Sequence, residues 1–190
     1  MKIKGNHSNQ GPAERLLQAA DRLFYTRGYA ATGVNELMAE AGVAKASFYR
    51  HFPSKSDLVV AYLQHRRDAW FSQLTEKVEQ HSDPTERVLA VFDFLHQWMV
   101  ESAFRGCAFL NTIPEFPEAS TAPRQVVREA KQGLRDYIHT LCQNAGHSDA
   151  GDEVFLLMEG AISQAAVVTD VWPIEVAQQA VRRRLKKPNV

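Results

Sequence analysis

The stretch AEAGVAKASFYRHF, residues 39–52, decides how the rest of the chain is read. Gly42 stands at its centre, and glycine accepts a positive φ at little steric cost, so a tight turn belongs there. Beyond the turn, Val43, Phe48 and Phe52 supply an apolar side for anchoring. Lys45, Ser47, Tyr49, Arg50 and His51 crowd the remaining positions with hydrogen-bonding groups. A helix, a glycine turn and a short second helix set at an angle is a helix-turn-helix arrangement.

Outward from this stretch nearly everything reads as helix. Pro12 at the first helical position and Glu14 in the first turn open one. Its apolar residues Ala13, Leu16, Leu17, Ala20, Leu23 and Phe24 recur at steps of three and four until Gly28. Thr32 is expected to cap a second helix carrying Val34, Leu37, Met38 and Ala41 on one face. Ser54-Lys55-Ser56-Asp57 has the form of a capping box and opens a long helix to about residue 80. Asp83-Pro84-Thr85-Glu86 starts another, which contains Val88, Val91, Phe92, Leu95, Trp98 and Met99. PEFPEASTAP, residues 114–123, holds three prolines and interrupts the helical pattern. Two long helices are expected near 124–145 and 150–170, and Trp172-Pro173 opens a last one to about 187. The pattern contains no strand, repeat or low-complexity tract, so the expected fold is all-α.

Composition narrows the function classes. The 190 residues are 45% hydrophobic and 23% charged, which is ordinary globular composition. No run of 18 apolar residues exists, and the start MKIKGNHSNQGP lacks the apolar core of a secretory signal. Two cysteines, Cys107 and Cys142, are too few for a disulfide framework, so a reduced, cytoplasmic setting is expected. The net charge of zero conceals an asymmetry: residues 1–67 hold 10 Lys and Arg against 5 Asp and Glu, and residues 68–190 hold 12 against 17. A basic N-terminal third points to a polyanionic partner. The usual catalytic signatures are missing, and no His pair at i, i+4 offers metal ligands. The expectation is therefore a non-enzyme without metal or cofactor.

A second helix presented in this way enters the major groove with its donors while its apolar side holds it to the body. Lys55 lies at the start of the next helix, where backbone N–H groups add attraction for a phosphate. At this point the pattern T-x4-L-M-A-x-A-G-V-A-K-A-S-F-Y-R-H-F-x-S-K-x-x-L, residues 32–58, resembles the DNA-binding domain of the TetR/AcrR family of bacterial repressors. Thr32, Ala41, Gly42, Val43, Phe48, Tyr49, His51, Phe52, Lys55 and Leu58 match, as does Phe24-x3-Gly28-Tyr29, so the resemblance covers about residues 12–60. Ala44 departs from a frequent serine and forgoes an N-cap; Ala46 departs from a frequent glycine and favours the helix.

The resemblance implies a flexible arm over 1–11, a DNA-binding domain over 12–72 with its motif at 33–52, and a helical effector-binding and dimerisation domain over 73–190. It implies a homodimer whose recognition helices occupy successive major grooves of a near-palindromic double-stranded operator. By match of position, Thr32, Lys45, Tyr49, His51 and Lys55 would contact phosphates, and Ser47, Lys45 and Arg50 would reach bases. The dimer interface would lie on the helices near 150–170 and 173–187. VFLLMEGAISQAAVVT, residues 154–169, suits that role, although an ordinary core helix would read the same way. Trp98, Phe104, Cys107, Asn111, Tyr137 and Trp172 are candidates to line a pocket for a small-molecule effector, and core packing accounts for the same residues. Cys107, in Arg105-Gly106-Cys107, reads either as an inert buried thiol or as a sensor of electrophiles or oxidants, as in a subgroup of the family.

The expected function is a ligand-responsive homodimeric repressor released from DNA by a small molecule. A helical protein-binding adaptor without DNA specificity and an unrecognised helical enzyme are the alternatives. The basic charge of residues 1–67 weighs against the adaptor.

Overall fold

The structure is a computed structural model and describes residues 10–186. The expected arm, 1–11, lies outside them apart from Gln10 and Gly11, as does the residue 187 end of the last helix. Among the described residues there are nine α-helices and no strand. In order they are α1 Pro12–Arg27, α2 Val34–Ala41, α3 Lys45–His51, α4 Lys55–Glu79, α5 Pro84–Glu101, α6 Ala108–Thr112, α7 Ala122–Asn144, α8 Gly151–Val168 and α9 Trp172–Arg184. A 3₁₀ turn, Ile113–Glu115, follows α6 directly.

The chain divides into two compact units. One takes the residues up to Ala69 together with Ala108–Arg128; the other takes Trp70–Cys107 and the residues from Glu129 onward. The segment Ala108–Arg128, assigned by the sequence reading to the 73–190 domain, thus packs within the first unit.

In the first unit, one core gathers Leu16, Leu23 and Phe24 of α1, Leu37 of α2, Phe48 of α3 and Leu58, Tyr62 and Leu63 of α4. Phe116, Val126 and Val127 join the same core from the later segment. The turns that bring the helices together rest on two glycines. Gly28 ends α1 at φ 87°, its N–H donating to the Phe24 carbonyl. Gly42 ends α2 in the left-handed region at φ 60°, and the N–H of Val43 then reaches the Met38 carbonyl at 3.0 Å. Thr32 is not the cap of α2. Gly33 holds that position without a side-chain bond, while Thr32, fully buried, donates its hydroxyl to the Gly28 carbonyl at 2.8 Å. The capping box at Ser54 is present: the Asp57 N–H donates to Ser54 Oγ at 3.1 Å, and Asp57 Oδ2 accepts from the Ser54 N–H at 2.9 Å.

In the second unit, Asp83 caps α5 by accepting from the Glu86 N–H at 2.9 Å. The inner face of α5 buries Val88, Val91, Phe92, Leu95 and Met99. α8 is two-sided. Val154, Met158, Ala161, Ile162 and Ala165 are buried within the chain, whereas Leu156 and Val167 stand 66% and 76% exposed. Lys131 of α7 and Glu159 of α8 form a largely buried ion pair at 2.6 Å.

Candidate nucleic-acid interface

The recognition segment is held from beneath and from behind. From beneath, Phe48 has no exposed surface, and its ring meets Phe52 at 6.4 Å and Tyr49 at 5.1 Å between centroids. From behind, Arg15 of α1 donates Nε to the Ala41 carbonyl at 2.9 Å and also reaches the Gly42 carbonyl at 3.4 Å. Those carbonyls belong to the end of α2, where helix acceptors have no partner in their own helix. Two ion pairs, Arg22–Glu40 and Arg27–Glu36, tie α1 to the outer face of α2. The turn between α2 and α3 is thereby fixed by side chains whose placement a sequence pattern does not disclose.

What α3 offers outward is a row of cations and donors. Lys45, Tyr49, Arg50 and His51 are exposed, and Ser47 is half-buried. Tyr49, at 45% exposure, forms a T-shaped pair with Phe48 at an interplanar angle of 76°. Among the described residues, no hydrogen bond or ion pair engages the side chains of Lys45, Arg50 or His51. A short rigid helix with unspent donors is suited to a ligand dense in acceptors, and DNA is one.

Two of the seven expected contact residues sit differently. Thr32 spends its hydroxyl inside, as described. Lys55 turns back over the first unit, its Nζ donating to the Tyr29 carbonyl at 2.5 Å and lying 3.8 Å from the centre of the Tyr29 ring. Burial pulls the pKa of Lys55 down, and the negative charge of Glu115 pulls it partly back. Glu115 accepts from the N–H groups of Tyr29 and Ala30 at 3.0 and 2.5 Å. The sequence offers Glu115, beside Asn111, as a polar handle of an effector pocket or as an exposed side chain, and does not disclose its bonds to the Tyr29 turn. Its partners lie 86 and 85 residues away, beyond any local pattern.

The six candidate effector residues are not gathered in one cavity. Trp98 lines a groove of about 170 Å³ between α4 and α5, beside Phe94 and with Glu76, Lys77 and Glu101 around it. Trp70 packs edge-on against both Phe94 and Trp98, and its Nε1 is buried without a hydrogen-bond partner. Asn111 lines a smaller cleft of about 90 Å³ in the first unit, with Phe24, Tyr62 and Glu115. Tyr137 stacks edge-on against Phe71 at 5.1 Å, and Trp172 is half exposed. Phe104 adopts a positive φ of 56° in the loop that leads to Cys107. Cys107 is buried, and its Sγ lies 3.4 Å from Lys131 Nζ, a pairing the sequence reading did not anticipate. Burial opposes the charge on Lys131, but Cys107 and Glu159 outweigh it and raise the lysine pKa. Among the described residues, no cluster of three His, Cys, Asp or Glu side chains is placed to hold a metal ion, and no helix is long and apolar enough to cross a membrane.

Comparison with known proteins agrees with this geometry. Residues 16–62 match the family model described as bacterial regulatory proteins, tetR family. A TetR-family transcriptional regulator from Streptomyces coelicolor, SCO4454, superposes with a TM-score of 0.85 at 30% identity, covering 93% of this chain and 89% of that one. The HTH-type transcriptional repressor NemR of Escherichia coli is 25% identical over 97% of this chain and 98% of its own length. The crystal structure of its reduced form gives a TM-score of 0.80. The HTH-type transcriptional regulator LmrA of Bacillus subtilis is 26% identical over 92% of this chain and 96% of its own length.

Proposed function

Because the chain belongs to the tetR family of bacterial regulatory proteins, we propose that it is a DNA-binding transcriptional repressor that works as a homodimer and is released by a small-molecule effector. The observation that carries the reading is α3: a helix anchored through Phe48, with Lys45, Tyr49, Arg50 and His51 exposed. Lys45, Tyr49 and His51 grip phosphates on either side of the major groove, and Ser47, Lys45 and Arg50 reach base edges. The DNA-binding domain spans 12–72, and effector binding and dimerisation belong to 73–190. No catalytic role is assigned, and the protein acts in the cytoplasm.

The dimer forms through α8 and α9. Leu156, Val167 and Val168 of α8 and Trp172 and Val176 of α9 are all exposed large apolar side chains. Apolar surface concentrated on two helices that pack on one another favours a second copy, and a two-fold axis lets the same patch serve both sides. The effector acts by population shift, favouring a spacing of the two recognition helices that no longer matches successive grooves.

A second reading concerns the signal. Lys131 Nζ stands 3.4 Å from Cys107 Sγ, a polar contact that supports sensing of electrophiles or oxidants at Cys107 in place of reversible ligand binding.

The test of the DNA reading is binding to a fragment from upstream of the protein's own gene across a range of salt. Wild type should bind tightly and salt-sensitively, with log K falling linearly against log salt. Lys45→Ala and Tyr49→Ala should each weaken it by about tenfold or more, or ~1.4 kcal/mol, with helicity unchanged. Salt-independent or absent binding to all DNA, a selected random library included, would return the adaptor reading.

A further inference from the structure

Arg15 does more than brace the turn between α2 and α3. Its guanidinium is a planar fork with donors on three nitrogens, and each of the three is engaged. Nε donates to the Ala41 carbonyl at 2.9 Å, Nη2 reaches the Gly42 carbonyl at 3.4 Å, and Nη1 donates to the Gln10 carbonyl at 2.8 Å. One side chain therefore fastens the segment before α1 to the turn that leads into the recognition helix. Gln10 is seated by its own side chain as well, its Oε1 being enclosed without a hydrogen-bond partner. Gly42 stands three residues before Lys45, the first residue of α3, so the chain enters the fold beside the start of the recognition helix.

The nine residues before Gln10 are one-sided in charge. Lys2 and Lys4 are their cations, no carboxylate occurs before Glu14, and Asn6, His7, Ser8 and Asn9 add hydrogen-bonding groups. Nine residues of extended chain span at most about 30 Å, against about 17 Å for the half-turn between a major groove and the minor groove beside it. Lysine and asparagine side chains suit that minor groove, whose floor carries acceptors on every base pair and a 2-amino group only on guanine. Building on the DNA-binding reading above, we propose that residues 1–9 are a second DNA-binding element, which enters the minor groove next to the major groove held by α3, and that Arg15 positions it there. Lys2 and Lys4 meet the charge of the two flanking strands, and Asn6 and Asn9 meet acceptors on the groove floor. The guanine 2-amino group obstructs that approach, so the element favours base pairs that lack it. Arg15 touches no nucleotide; it sets the spacing between the two elements.

Inosine separates the two grooves, because an inosine–cytosine pair keeps the major-groove edge of guanine–cytosine and lacks the minor-groove amino group. The experiment is fluorescence anisotropy over a salt series on two labelled duplexes, alternating inosine–cytosine and alternating guanine–cytosine. It compares the full chain, a variant lacking residues 2–9, the double variant Lys2→Gln with Lys4→Gln, and Arg15→Lys, with thermal unfolding confirming that each is folded. Wild type should bind the inosine duplex at least about fivefold more tightly. Removing residues 2–9 should abolish that preference and flatten the slope of log K against log salt by about 0.9 for each lysine engaged. The double lysine variant should flatten the slope equally. Arg15→Lys keeps the charge without the fork, and should lose the preference while keeping the slope. Equal wild-type affinity for the two duplexes, a truncated chain that retains either the preference or the slope, or a double lysine variant with the wild-type slope overturns the minor-groove contact while leaving DNA binding intact. A preference that survives in Arg15→Lys overturns the positioning role. If wild type binds neither duplex at any salt, the proposal and the reading beneath it fall together.

Discussion

Cys107 and Cys142 share a chain and a compact unit but not an environment. Cys142 has no exposed surface, and burial pushes its thiol up to about 11, with Arg184 pulling the other way and Asp149 adding to the rise. Cys107 has the Lys131 ammonium against its sulfur. Iodoacetamide at about pH 8 should therefore label Cys107 in the folded protein and spare Cys142 until the chain unfolds, as mass spectrometry of timed samples will report. Labelling of Cys142 first would contradict both environments. The same shift sets a pH dependence of stability. In the unfolded chain this thiol loses its proton near 9, and in the folded chain near 11, so between those values the folded state holds the extra proton. The stabilisation is complete below pH 9 and declines as pH rises toward 11, which urea midpoints at about pH 8 and pH 10 will reveal. Cys142→Ala should remove that part of the decline.

At the scale of the element, α3 begins without help. Ala44 has the extended backbone of an N-cap, at φ −70° and ψ 151°, but no side chain to accept from the N–H of Ser47. Ala44→Ser supplies that acceptor and should stabilise the protein by about 0.5–2 kcal/mol, read as a higher Tm. A drop in Tm would show that the serine is drawn elsewhere. The same elements explain what the sequence disclosed. The start of α1 at Pro12, its end at Gly28, the turn at Gly42, the capping box at Ser54 and the Asp83 cap are all governed by neighbours within a few residues. Local chemistry therefore located them, and it also oriented α3, since Phe48 and the outward cations alternate within one helix. The partners that Thr32 and Lys55 hold inside the chain, the carbonyls of Gly28 and Tyr29, are acquired by packing that spacing does not encode. The bonds of Glu115 are hidden for the same reason, since it lies near the start of a proline-interrupted stretch that carries no periodicity. The effector candidates were chosen as aromatics near that break. Aromatic side chains fill cores and line pockets alike, and the structure distributes these between α4–α5 packing, α7 and the first unit.

For the whole molecule, charge and apolar surface are segregated along the sequence: the net positive balance lies before residue 68, and exposed large apolar side chains gather on α8 and α9. A bivalent reader of DNA needs both, because tethering two heads raises affinity by about 10²–10⁴ over one head without any new contact. Leu156→Arg, on the exposed side of α8, should yield a folded monomer by light scattering and weaken operator binding by about 100-fold or more. A dimer that persists in this variant and in Val176→Arg would move the interface elsewhere. The brevity of α3 has a consequence that reaches the cell. Seven residues are too few to hold a helix in isolation, so the surface that reads DNA exists only while Phe48 remains seated in its core. Bound DNA is then a folding ligand for the head, stabilising it by about 2.7 kcal/mol at a hundredfold excess over Kd. Heat that melts the head empties the operator with no effector present, and a chemical switch built on this helix is also a thermometer.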